Sequence, residues 1–120
     1  MIRSFRAKDT EAIWHRRHVR KLSPELSRLT YNKLVLINAA ESINDLRVPP
    51  GNRLEKLVGA RAGQYSIRVN DQWRICFTWS ASGAGNVELV DYHYRGFAPA
   101  RRGMPLVSSA WGFRSSGVRP

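Results

Sequence analysis

Cysteine is nearly absent from this 120-residue chain, in which Cys76 stands alone. One thiol excludes an internal disulfide and leaves no thiolate cluster for a structural metal. Long apolar runs are missing too. The longest, Leu34-Val35-Leu36-Ile37, is far too short to cross a bilayer. The opening Met1-Ile2-Arg3-Ser4-Phe5-Arg6 lacks the apolar core of a secretory signal. These absences predict a cytoplasmic protein without a membrane partner. Acidic residues are scarce: nine Asp and Glu oppose twenty Lys and Arg, for a net charge of +11. Sixteen of the bases are arginine, and residues 95–120 carry five of them and no acid. Arginine presents a planar fork of donors that matches phosphate oxygens. A polyanionic partner is therefore favoured over a merely solubilising surface, with RNA, DNA and an acidic protein all qualifying.

What is present fits a single globular domain with a modest core, since 42% of residues are apolar. Residues 1–6 alternate in the manner of a short strand. Asp9-Thr10-Glu11 opens a short helix to about residue 18. Ser23-Pro24-Glu25 is a stronger start, with a capping hydroxyl, a proline at the first helical position and an acid. Leu26, Leu29, Leu34, Ile37 and Ala40 then recur at helical spacing to about residue 41. Residues 45–53, around Pro49-Pro50-Gly51-Asn52, read as a loop.

Beyond the loop the period becomes two. Tyr65, Ile67 and Val69 alternate with polar residues, as do Trp73, Ile75, Phe77 and Trp79. A three-residue turn, Asn70-Asp71-Gln72, pairs Val69 with Trp73, Ile67 with Ile75 and Tyr65 with Phe77. A two-residue turn would mix the faces, so burial selects the longer one. One face is then apolar and the other carries Arg68 and Arg74. Residues 80–86 read as a second hairpin loop and 87–93 as a further strand. The expected fold is α+β: a small, mostly antiparallel sheet with two N-terminal helices on one face. Residues 1–95 form the domain, and 96–120 read as a basic, flexible C-terminal extension.

The chemistry concentrates in Asp91-Tyr92-His93. Strand alternation sends Tyr92 to one side and Asp91 and His93 to the other, unless the strand end twists. Metal-free RNA cleavage needs a base for the ribose 2′-OH, a cation at the phosphate and an acid for the leaving 5′-oxygen. Arg68, Arg74, Asp91, Tyr92 and His93 supply every one of those parts. His15 and His18 have a metal-compatible spacing but no third ligand, so they read as a solvated basic face. Trp73 and Trp79 read as core rather than stacking platforms. Cys76 reads as a structural or substrate-adjacent thiol.

The run Pro49-Pro50-Gly51-Asn52-Arg53-Leu54-Glu55-Lys56-Leu57, Gly59, and Gly63 through Phe77 closely resembles the HigB-type toxins of the RelE/ParE superfamily. So do Met1-Ile2-Arg3-Ser4-Phe5 and Asp91-Tyr92-His93, and the match spans about residues 1–95. The resemblance implies a ribosome-dependent, cofactor-free and metal-independent mRNA endoribonuclease. It also implies neutralisation by a helix-turn-helix antitoxin, in a hetero-oligomer that binds operator DNA. Arg74 would hold the scissile phosphate, Asp91 and His93 would transfer protons, and Tyr92 would orient substrate or share that work. Arg53, Lys56, Arg61 and Arg68 would contact RNA or the ribosome. The chain departs from relatives at Glu55, a histidine in some, at Val58, often a lysine, and at Ala60, often an acid. The alternative within the superfamily is a non-catalytic, ParE-like inhibitor of DNA gyrase.

Overall fold

A computed structural model describes residues 1–92, so His93 and the 96–120 extension lie outside the described residues. Helix α1 spans Lys8–Trp14 and helix α2 spans Pro24–Ala39. Strands β1 (Glu55–Lys56), β2 (Gln64–Arg68), β3 (Trp73–Ser80) and β4 (Gly83–Asp91) form one antiparallel sheet in that order. This is the α+β architecture that the periodicity predicts.

The start of α2 follows its capping signal. Ser23 Oγ accepts the Leu26 N–H at 3.0 Å, with Pro24 and Glu25 in the first turn. Leu26, Thr30, Leu34 and Ile37 form its buried stripe. Helix α1 stops at Trp14 rather than near residue 18. Positions three and four beyond buried Ile13 are Arg16 and Arg17, so a longer helix would have nothing to bury. Arg16 instead turns left-handed (φ 64°), and the Arg16 and Arg17 N–H groups close the end on Ile13 and Ala12 carbonyls.

The β2–β3 register is the expected one, with Tyr65 opposite Phe77, Ile67 opposite Ile75 and Arg68 opposite Arg74. The turn is held by Asn70, whose Oδ1 accepts the N–H groups of Gln72 and Trp73, both at 2.8 Å. Ile67, Ile75, Phe77 and Val87 on the sheet meet Leu26, Leu34 and Ile37 of α2 in one core. Trp73 and Trp79 pack against that core, half-buried.

Two local expectations need correction, and one strand goes unforeseen. Residues 80–86 are not a loop: only Ala81 and Ser82 separate β3 from β4. Gly83 (φ 124°) belongs to the strand, and a Cβ there would lie 2.1 Å from the Met1 carbonyl oxygen. Its missing side chain admits the N-terminal segment, which makes only two isolated parallel bridges, Ile2 to Ala84 and Phe5 to Val87. Residues 45–53 are not wholly irregular, because 3-10 turns occupy Ile43–Arg47 and Pro50–Asn52. Strand β1 is too short for alternation to reveal.

Candidate active site on the open sheet face

The helices cover one face of the sheet. Across the other, register aligns Glu55, Ser66, Cys76 and Glu88 in a row running through all four strands. Arg74 stands in the next row, between Arg68 and Val90. It is only 4% exposed. Its Nε donates to Ser66 Oγ at 2.8 Å, and its Nη2 donates to the carbonyls of Arg53 and Ser66. Glu55 Oε1 lies 3.6 Å from Nη2. Burying a guanidinium is costly unless its donors are met, and these partners meet those on Nε and Nη2. Nη1 carries no hydrogen bond among the described residues.

Tyr92 follows β4, its N–H bonded to the Gln72 carbonyl at 2.6 Å. Its ring centre lies 5.0 Å from the Arg74 guanidinium carbon, and its hydroxyl donates to Glu55 Oε1 at 3.2 Å. Burial, reinforced by the Glu55 charge, raises the phenol well above the ordinary tyrosine range. At neutral pH Tyr92 is therefore a hydrogen-bond donor and no base. Burial likewise pushes the Cys76 thiol up to about 12, which makes it inert rather than nucleophilic.

The other expected residues are dispersed. Asp91 is the last residue of β4, opposite Trp73, so alternation turns it away from Arg74. Its Oδ2 accepts from Gln72 Nε2 at 3.1 Å. Arg68 pairs with Asp71, and its charge, after burial, helps to lower the pKa of Lys33 on α2. Arg61 Nη1 bonds Glu88 and Gln64, both at 3.0 Å. Lys56 is exposed on β1. Arg53 adopts a left-handed φ of 46° and offers its carbonyl to Arg74, while its side chain is exposed. The structure thus brings Arg74 and Tyr92 together, and places Asp91 at the strand end on the other side.

The link between them is Glu55, which sequence reasoning noted only as a departure from the histidine of some relatives. A lone carboxylate in an irregular segment carries no signal. Its importance appears once β1 pairs with β2 and sets it opposite Ser66. Nothing in the spacing foretold that the guanidinium would be tied down by Ser66 and the Arg53 carbonyl.

This fold and polar cluster define a small basic α+β domain with a polar site on its open sheet face. A family model described as "RelE-like toxin of type II toxin-antitoxin system HigB" matches residues 3–93, and the chain belongs to that family. Toxin HigB-1 of Vibrio cholerae serotype O1 is 40% identical over 79 residues, which are 66% of this chain and 82% of that protein. An uncharacterized protein of Haemophilus influenzae is 39% identical over 74 residues, 62% of this chain and 73% of its own length. Membership implies an antitoxin as partner.

Proposed function

We propose that this toxin is a ribosome-dependent mRNA endoribonuclease of the cytoplasm, working without a metal at the edge of the open sheet face. The observation that carries the reading is the Arg74–Tyr92–Glu55 cluster beside the end of β4, which bears Asp91. In the reaction a base removes the proton of a ribose 2′-OH, and the oxygen attacks the adjacent phosphorus. The bond to the 5′-oxygen breaks, and an acid protonates that oxygen, giving a 2′,3′-cyclic phosphate and a 5′-hydroxyl. Arg74 stabilises the charge that builds on the phosphate. Tyr92, held neutral, donates a hydrogen bond and orients the substrate. Proton transfer falls to His93 and Asp91, the latter reaching the phosphate that Arg74 holds once the end of β4 twists toward the open face. Arg53, Lys56, Arg61 and Arg68 are proposed as RNA or ribosome contacts, with the engaged Arg61 and Arg68 exchanging their carboxylate partners for phosphate. A helix-turn-helix antitoxin neutralises the toxin in a complex that binds operator DNA.

Mapping the 5′ ends of cellular mRNA after induction tests this. Cuts inside translated codons are expected, and their loss in His93→Ala. Blocked DNA supercoiling without such cuts would replace this reading with the gyrase-inhibitor one.

A further inference from the structure

A second basic feature lies between the end of α1 and the face of α2, in the helical layer that covers the apolar side of the sheet. A cavity of about 410 Å³ is lined by Arg16, Arg17, Arg28, Ser27, Tyr31 and Asn32, together with buried Ile13. No acid lines it. A neighbouring depression of about 530 Å³ shares Arg17 and adds Lys8, Arg20 and Lys21 against Asp9 alone. Asp9 is already paired with Lys21 at 3.2 Å. The two hollows together gather six cations and one carboxylate. The end of α1 contributes roughly half a negative charge at most, far less than this excess.

The concavity is built rather than incidental. Arg16 occupies the left-handed region at φ 64°, where residues other than glycine are uncommon. That turn lays its guanidinium 4.5 Å from the centre of the Tyr31 ring, which also stacks on Trp14 at 5.7 Å. Tyr31 is thereby engaged by protein and is no platform for a base. Arg17 and Arg28 are exposed, and the Ser27 hydroxyl and Asn32 amide add neutral donors. Such a lining suits phosphate oxygens and reads no sequence. An acidic amphipathic segment would need apolar anchor sites as well, and among the described residues the only aliphatic lining of the first hollow is buried Ile13.

We infer that the Arg16–Arg17–Arg28 cavity binds the phosphodiester backbone of structured RNA. It lies on the helical side of the molecule, so it grips RNA other than the nucleotide that is cut. The inference rests on the reading that RNA is this toxin's target, but it concerns binding and not cleavage.

The test uses the full chain and a fluorescein-labelled 16-base-pair RNA duplex, with anisotropy titrations from 50 to 200 mM salt. Arg17→Gln/Arg28→Gln is compared with Arg3→Gln/Arg47→Gln, which removes equal charge from exposed sites elsewhere. Melting temperatures verify that both variants fold. The cavity double should bind roughly 10- to 100-fold more weakly at 0.1 M salt, with a salt slope shallower by about two. The control should lose less than about threefold. Equal losses in the two doubles would overturn the inference. So would unchanged RNA binding accompanied by loss of a labelled polyglutamate peptide, which would assign the cavity to an acidic protein. Failure of the nuclease reading shows separately, as absence of mRNA cleavage by the unaltered chain.

Discussion

Arg74 is both a candidate phosphate ligand and a buried structural group, and these roles separate experimentally. Arg74→Ala removes a guanidinium that is 4% exposed and holds Ser66, the Arg53 carbonyl and Glu55. Breaking one partner of a buried pair costs about 3–5 kcal/mol. The Glu55 side chain retains 27% exposure, so water screens part of the orphaned charge and the lower end, about 3 kcal/mol, applies. At a urea slope of about 1.5 kcal/mol/M, the unfolding midpoint should fall by about 2 M. Tryptophan fluorescence reports it, since Trp73 and Trp79 pack on the core. Replacing both partners, Arg74→Leu/Glu55→Leu, should recover most of that loss because no charge is left buried alone. The double variant should stay folded and inactive. A midpoint for Arg74→Ala within about 0.3 M of the unaltered chain would refute the structural half of this reasoning. Cleavage by the folded double variant would refute the functional half.

The stability of the native state should decline in alkali. The Cys76 thiol ionises at about 12 when folded and near its ordinary value when unfolded, and Tyr92 shifts in the same direction. Their contribution is whole below about pH 9 and is lost as pH rises toward 12. Urea titrations from pH 8 to 11 should show this fall, smaller in Cys76→Ala. Gly83→Ala should cost about 1–3 kcal/mol by driving Met1 from β4, read as a lower melting temperature. Deleting residues 97–120 should leave the melting temperature in place, because among the described residues the buried core already runs from Ile13 to Val87.

The hairpin was legible in the sequence because a slip of one residue would turn Ile67 and Ile75 out to water. The capped start of α2 was legible for an equally local reason, the Ser23-Pro24 signal. The start of β4 was not. Gly83, Gly85 and Asn86 look like turn residues, yet Gly83 admits the N-terminal segment and Asn86 (φ 51°) sits in a bulge between Gly85 and Glu88. Asp91 and Tyr92 were recognisable as chemistry. The face each one takes depends on how β4 pairs with Trp73 and Arg74. Arg16 and Arg17 lie between His15 and His18 in the stretch that reads as a solvated basic face, and the left-handed turn at Arg16 makes their surface concave.

The most direct measurement is the chemistry of the severed ends. Purified toxin, programmed ribosomes and a defined mRNA should yield fragments with a 2′,3′-cyclic phosphate on one side of the cut and a 5′-hydroxyl on the other, as attack by the ribose oxygen requires. Fragments bearing a 5′-phosphate would mean that water, not the 2′-oxygen, attacks, and would contradict the account.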